Sequence, residues 1–107
     1  MTLTFREAQE KVDDWIGQFE EGYWPPLAMF ASLVEEVGEL GKEINSLEGH
    51  KRKRGDSHSS LDIELGDIIF SLICIANHFK VDLEDAFHKT LNKYSDRDTT
   101  RWTLKEK

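Results

Sequence analysis

Residues 60–79 read SLDIELGDIIFSLICIANHF and contain the longest mainly apolar run of the chain. Drawn as a helix with Ser60 as its N-cap and an end near Phe79, this stretch is apolar around most of its circumference. Such a helix belongs inside a bundle or in an oligomer interface. Its remaining arc holds Glu64, Asp67, Ser71, Cys74 and His78. Ionised carboxylates beside a buried surface are costly unless they are paired or bind a metal.

Three further helices are predicted from caps, helix breakers and apolar spacing. They extend from Thr4 to about Phe19, from Pro26 or Leu27 to about Leu47, and from Asp82 to about Tyr94. Gly49 is the expected end of the helix that stops near Leu47. No stretch alternates polar and apolar residues over enough positions to predict a strand. The sequence therefore predicts an all-α fold of the four-helix bundle type.

The chain has 107 residues, with 21 acidic and 14 basic side chains and a formal net charge of −7. This length suits one helical domain over residues 1–107, with a flexible basic loop at about 49–59 and a basic tail at about 97–107. The acidity argues against a generic nucleic-acid binder, and the single cysteine excludes an internal disulfide. Because the N-terminus shows no signal pattern and no apolar run could span a bilayer, a cytoplasmic protein without a membrane partner is expected.

Acidic side chains recur at helical spacing in two of the predicted helices. Glu36 and Glu39 lie on an arc that borders the apolar face of the second helix, and Glu43 shares that arc. Packed antiparallel, this helix would bring Glu36 and Glu39 to Glu64 and Asp67 of the third. Any one of these glutamates could also be an ordinary solvated helix edge. Four carboxylates favour a hard divalent cation, with Mg²⁺ first and Mn²⁺ second, whereas zinc lacks its usual ligands here.

A basic stripe follows in the fourth helix, where Lys89, Lys93 and Arg97 are spaced four residues apart. These cations either favour the C-terminus of a helix or bind phosphate beside the metal. Carboxylates, a divalent cation and basic groups together indicate a site for a polyphosphate substrate. The net negative charge is compatible with such a ligand because the metal would bridge an acidic pocket to an anion.

The segment LVEEVGEL at residues 33–40, followed by ELGD at residues 64–67, resembles the EExxE…ExxD signature of MazG-like nucleoside triphosphate pyrophosphohydrolases. The resemblance extends from about Trp24 to Arg97. It implies a helical bundle that is completed by homo-oligomerisation, as a homodimer or homotetramer. This agrees with the apolar excess of the third predicted helix.

The resemblance also implies roles for individual residues. The implied Mg²⁺ ligands are Glu36, Glu39, Glu64 and Asp67; Glu35 or Glu39 would orient or deprotonate a water; Lys93 and Arg97 would contact phosphates. The implied reaction is Mg²⁺-dependent hydrolysis of a nucleoside or deoxynucleoside triphosphate to the monophosphate and pyrophosphate, for housekeeping of the nucleotide pool. Trp24, with Tyr23 and Phe30 as further candidates, would stack on the base, although each of these rings is more often part of a core.

Other functions remain open at the level of sequence. The acids could form a structural metal site in a non-catalytic helical dimer or a regulatory interaction module. The basic run at residues 51–54 could be a solvated loop, a segment that swings over phosphates or a nucleic-acid patch, although nucleic acid is not the expected partner. The same chemistry could also act on another pyrophosphate-linked metabolite, such as a phosphoribosyl-ATP.

Overall fold

A computed structural model describes residues 2–49 and 60–106 of the chain. Its four helices are α1 (Phe5–Gly17), α2 (Pro26–Leu47), α3 (Leu61–His78) and α4 (Leu83–Asp98). Within these two ranges there is no strand, which confirms the all-α prediction. The predicted flexible basic loop, at about 49–59, lies outside the described residues except for Gly49.

Local sequence signals account for where the helices begin. The Thr4 hydroxyl accepts a hydrogen bond from the Glu7 amide at 3.0 Å, and the Glu7 carboxylate accepts one from the Thr4 amide at 3.0 Å. This reciprocal capping box starts α1, as predicted. Pro26 opens α2, where its missing N–H has no partner to lose. The Asp82 carboxylate caps α4 by accepting from the amide of Glu84 at 2.9 Å.

The helix ends differ slightly from the sequence prediction. The first helix stops at Gly17, two residues before the predicted end, and the fourth continues to Asp98, one turn beyond Tyr94. That last turn carries an ion pair between Arg97 Nε and Asp98 Oδ1 at 2.8 Å. The end of α2 at Leu47 agrees with the prediction, and Gly49 follows it with a φ of 83°, a conformation that glycine adopts without strain.

The first helix is fastened to the end of α3 and the start of α4 by neutral side chains. Gln9 Nε2 donates to Asn77 Oδ1 at 2.9 Å and to the carbonyl of Val81 at 2.8 Å, and Gln9 Oε1 accepts from the amide of Leu83 at 2.9 Å. Asn77 Nδ2 donates to the Gln9 carbonyl at 3.0 Å and to the Tyr23 hydroxyl at 2.9 Å. We call the contacts of Gln9, Asn77 and Tyr23 the amide junction.

Helix α2 packs mainly against α3, while α1 packs against α3 and α4. Met29, Ile73, Cys74 and Ala76 are the buried apolar residues of the described ranges. Large apolar side chains remain exposed along α2 and α3; for example, Leu27 is 81% exposed and Ile63 is 60% exposed. The radius of gyration is 17.7 Å, against roughly 13 Å for a compact domain of about this size. A single chain therefore leaves much of its apolar surface uncovered. Within the described residues, no helix has both the length and the apolarity needed to cross a membrane.

Candidate active site

Two contacts fix how α2 and α3 face each other. Glu43, near the end of α2, accepts hydrogen bonds from Ser60, directly before α3. Glu36, two turns earlier in α2, has its carboxylate near that of Asp67, two turns into α3. The helices are therefore antiparallel, which is the arrangement in which Glu36 was expected to meet Glu64 and Asp67.

This packing brings three carboxylates together. Oxygen atoms of Glu36, Glu64 and Asp67 lie within 4.8 Å of one another, and we call these residues the carboxylate cluster. Glu36 and Glu64 are half-buried, and Asp67 is exposed. Burial, followed by the negative charges of Asp67 and Glu64, raises the pKa of Glu36 above its ordinary value. Like charges are thus held close together at the cost of their mutual repulsion.

The donor set of the carboxylate cluster fits a hard divalent cation. All three side chains offer oxygen, the ligand that Mg²⁺ and Mn²⁺ prefer, and a divalent charge would offset their repulsion. In the described ranges, no ion pair joins a basic side chain to any of the three. The carboxylate cluster therefore fits a divalent metal ion, and the role of Glu36, Glu64 and Asp67 as its ligands stays a prediction.

Glu39, the fourth predicted ligand, is not part of the carboxylate cluster. Its Oε1 atom lies 3.8 Å from Nζ of Lys42, one turn further along α2. Its charge nevertheless contributes to the raised pKa of Glu36. Glu39 therefore borders the cluster, and its part in metal binding stays a prediction.

The carboxylate cluster borders a cavity of about 550 Å³, and two of its members, Glu36 and Asp67, form part of the cavity wall. Five aromatic side chains line this aromatic cavity: Trp15, Phe19, Tyr23, Trp24 and Phe70. The ring of Trp15 meets those of Phe19 and Phe70 edge to face, with centroid distances of 5.2 and 6.0 Å. A cavity of this size and apolar character is typical of a site for a small organic ligand.

The aromatic cavity includes Trp24, which the sequence analysis predicted as a substrate-binding residue. It also includes Ser71 and Cys74, to which no function was assigned, although they share one helical arc with Asp67. Extending that arc from Asp67 would have predicted both. Burial raises the pKa of the Cys74 thiol, so this side chain lines the cavity as a neutral group.

Tyr23 forms part of the same wall and is held from behind by the amide junction. Its hydroxyl also donates to Asp13 Oδ1 at 2.8 Å. Burial, together with the hydrogen bond to Asp13, raises the pKa of Tyr23 to about 12. The phenol therefore remains protonated, and its ring is fixed against the cavity by two hydrogen bonds.

The other predicted site residues lie outside the aromatic cavity. Glu35 is exposed on α2, and Lys93 and Arg97 are exposed on α4. Both cations lie over the ring of Tyr94, at 4.9 Å for Lys93 Nζ and 4.7 Å for the Arg97 guanidinium. Arg97 also pairs with Asp98. The roles predicted for these three residues stay predictions.

The chain matches a family model and several known proteins. The model of the MazG nucleotide pyrophosphohydrolase domain matches residues 25–102. YpjD of Bacillus subtilis (strain 168), an uncharacterised protein, is 45% identical over 104 residues, which cover 96% of this chain and 94% of YpjD.

Two crystal structures are similar to the fold described above. The structure of YpjD from Bacillus subtilis has a TM-score of 0.81 and 42% identity, covering 88% of this chain and 97% of the other. The structure of a Bacillus-conserved MazG protein, a nucleotide pyrophosphohydrolase, has a TM-score of 0.75 and 44% identity, covering 87% and 90%. The prediction that the chain is an enzyme is confirmed, and the chain belongs to the MazG nucleotide pyrophosphohydrolase family.

Proposed function

We propose that this chain is an Mg²⁺-dependent pyrophosphohydrolase that converts nucleoside or deoxynucleoside triphosphates to monophosphates and pyrophosphate. The observation that carries the proposal is the position of the carboxylate cluster at the edge of the aromatic cavity. One site thus offers ligands for a cation that binds phosphate and apolar rings that suit a nucleobase.

Glu36, Glu64 and Asp67 would hold the metal, with Glu39 as the further ligand implied by its place next to the cluster. When bound, Mg²⁺ (or Mn²⁺ in its place) supplies positive charge to the triphosphate oxygens and lowers the pKa of a nearby water. Without a cation, the anionic cluster would repel a triphosphate, so we expect activity to need a divalent ion.

In the proposed reaction, water attacks the α-phosphorus and the bond to the oxygen that bridges to the β-phosphorus breaks. Pyrophosphate leaves with that oxygen, and the attacking water loses a proton to a carboxylate. Glu35 and Glu39 are the candidate bases, since they flank the Glu36 ligand in the sequence and carry no role in the hydrogen bonds of the described fold.

The nucleobase of the substrate would occupy the aromatic cavity. Trp24 would stack on it at the rim, where this side chain is 60% exposed. Lys93 and Arg97 would contact phosphate oxygens. Because they do not line the cavity, they would reach the triphosphate only beyond its rim, on the same chain or from a neighbouring one. The exposed apolar faces of α2 and α3 support the proposal of a homodimer or homotetramer. Nucleotide-pool housekeeping in the cytoplasm is the setting that we propose.

The test is a panel of ribonucleoside and deoxyribonucleoside triphosphates, assayed with Mg²⁺, with Mn²⁺ and with EDTA. We expect monophosphate and pyrophosphate in equal amounts, and no product with EDTA. Release of inorganic phosphate, or hydrolysis of none of the panel, would contradict the proposed reaction. A phosphoribosyl-ATP belongs in the panel, since a preference for it would place the same chemistry on another metabolite.

A pair of variants tests the site itself. Asp67→Asn removes one carboxylate of the cluster, whereas Asp62→Asn makes the same change of charge at an exposed position in the first turn of α3. We expect the first variant to lose activity by about 100-fold or more, because metal stabilisation of transition-state charge is worth several kcal/mol. The second should keep most of its activity, and equal losses in both would contradict the assignment.

A further inference from the structure

Glu43 is the one charged side chain that is buried among the described residues, with 2% of its surface exposed. Both of its carboxylate oxygens accept hydrogen bonds from Ser60, the residue directly before α3. Oε1 accepts from the Ser60 amide at 3.1 Å, and Oε2 accepts from the Ser60 hydroxyl at 3.0 Å. Glu43 therefore uses its carboxylate to hold another helix and does not present it to the cluster.

The contact takes the place of a local helix cap. Ser60 was predicted as the N-cap of α3 and occupies that position, but its side chain makes no capping bond to its own helix. The hydroxyl instead points to α2, and the negative charge of Glu43 lies at the positive end of α3. The start of α3 is thereby tied to one particular turn of α2.

The same antiparallel register relates this contact to the carboxylate cluster. Glu43 comes seven residues after Glu36 in α2, and Ser60 comes seven residues before Asp67 in α3. Seven residues are close to two helical turns, so each helix presents both of its residues on one face. A slip of α3 by one residue would rotate its face by about 100° and separate Asp67 from Glu36.

The cluster alone does not favour this register, because its three acids repel one another. We propose that Glu43 is a positioning residue that, through Ser60, fixes the register of α3 on α2 and so preassembles the carboxylate cluster for a divalent cation. This inference rests on the proposed function for its biological purpose, but its test measures metal binding and not hydrolysis.

The experiment is a titration of metal-free protein with Mn²⁺, monitored by electron paramagnetic resonance to give the dissociation constant of Mn²⁺. We expect Glu43→Ala to raise the dissociation constant by about tenfold or more, in the range typical of groups that orient metal ligands. Glu43→Gln should raise it less, because the amide keeps one acceptor oxygen for Ser60. Ser60→Ala should weaken binding in the wild-type background and have no further effect in the Glu43→Ala background, since the two residues act as a unit.

Two matched variants separate positioning from simpler effects. Glu48→Gln removes an equal charge from the exposed end of α2 and should leave the dissociation constant within about twofold of wild type, because exposed charges are screened. Ile73→Ala truncates a buried side chain of α3 away from the Glu43–Ser60 contact and reports the effect of lower stability alone. A folded Glu43→Ala protein whose Mn²⁺ affinity equals that of wild type or of Ile73→Ala would overturn the proposal.

If Glu43→Ala does not fold, as judged by circular dichroism, Glu43→Gln and Ser60→Ala decide the question. Weaker Mn²⁺ binding in both supports the positioning role, and unchanged binding in both overturns it. Wild-type protein that binds Mn²⁺ but hydrolyses none of the nucleotides would defeat the proposed function and leave this inference standing. Wild-type protein that does not bind Mn²⁺ would overturn the inference.

Discussion

The two ends of α3 treat their polar side chains in opposite ways. Near its C-terminal end, Asn77 meets Gln9 of α1 in the amide junction, where each hydrogen-bond donor faces an acceptor at 2.9–3.0 Å. Near its N-terminal end, Glu64 and Asp67 meet Glu36 of α2, and oxygen atoms of the three carboxyl groups, which only accept hydrogen bonds when ionised, lie within 4.8 Å of one another. The side chains of the amide junction therefore have hydrogen-bond partners in each other, whereas the ionised carboxylates of the cluster offer each other no donor.

This difference separates a structural contact from a functional one. Satisfied amides contribute to fold stability, whereas neighbouring carboxylates oppose it until a cation offsets their charge. Local arrangements that lower stability are characteristic of functional sites. The carboxylate cluster is therefore expected to be needed for activity and dispensable for folding, and the amide junction to show the reverse.

The largest effect is expected for Glu36→Gln. Activity should fall by about 100-fold or more, since the variant loses one of the proposed metal ligands. In EDTA, the thermal midpoint of the variant should equal or exceed that of wild type, because one repelling charge has been removed from a half-buried position. Pyrophosphate release measures the loss of activity, and thermal unfolding in EDTA measures the midpoint. A marked loss of midpoint in EDTA would show that Glu36 supports the fold, contrary to the comparison.

The opposite pattern is expected for Gln9→Leu in the amide junction. The substitution leaves the Leu83 amide, the Val81 carbonyl and Asn77 Oδ1 without the Gln9 side chain as their partner, whereas Asn77 Nδ2 keeps its bond to the backbone carbonyl of residue 9. We expect the free energy of unfolding to fall by about 2 kcal/mol, in the range of 1–3 kcal/mol for unsatisfied polar groups. Urea unfolding measures this loss. The Mn²⁺ dissociation constant at a temperature where the variant is folded should not change, and a weakened metal site would mean that the two ends of α3 are coupled.

The aromatic cavity lies between these two regions, and Trp24→Ala tests its part. Loss of a stacking ring should raise KM for the triphosphate by about tenfold, since base–aromatic stacking is worth ~1–3 kcal/mol, while kcat changes little. Steady-state kinetics gives both constants. Leu27→Ala is a suitable control, because Leu27 is exposed on the first turn of α2 and does not line the cavity. A fall in kcat at unchanged KM would place Trp24 outside base binding.

The arcs of α2 and α3 were predictable because side-chain spacing along a helix is a local property. Glu36, Glu64 and Asp67 were therefore predicted together, and the structure brings them together. The rotation of one helix on another depends on packing along its whole length. For this reason the spacing did not predict that Glu39 lies outside the carboxylate cluster, or that Glu43 is buried against the start of α3.

The aromatic cavity was harder to predict for a related reason. Its wall combines Trp15 of α1, Tyr23 of the following turn and Phe70 of α3, residues that are distant in sequence. Aromatic rings on an amphipathic helix look the same in sequence whether they fill a core or line a cavity. The length of α4 was underestimated because the apolar spacing that set its predicted end stops at Tyr94, although the four-residue spacing of Lys89, Lys93 and Arg97 continues into the last turn.

The smallest effect is expected for Asp82→Asn, which tests the ion pair beside the amide junction. The hydrogen bond from Arg6, 2.8 Å away, and the amides at the start of α4 hold the pKa of Asp82 below its ordinary value. A lowered pKa means that the ionised carboxylate stabilises the folded state above the unfolded pKa, of about 3.9, and that this contribution disappears as the pH falls through the folded pKa. Asparagine keeps the helix cap but not the charge. Urea unfolding should therefore show wild type slightly more stable than the variant at pH 7 and equally stable in strong acid, whereas a difference that persists in acid would mean that the contribution of Asp82 is not electrostatic.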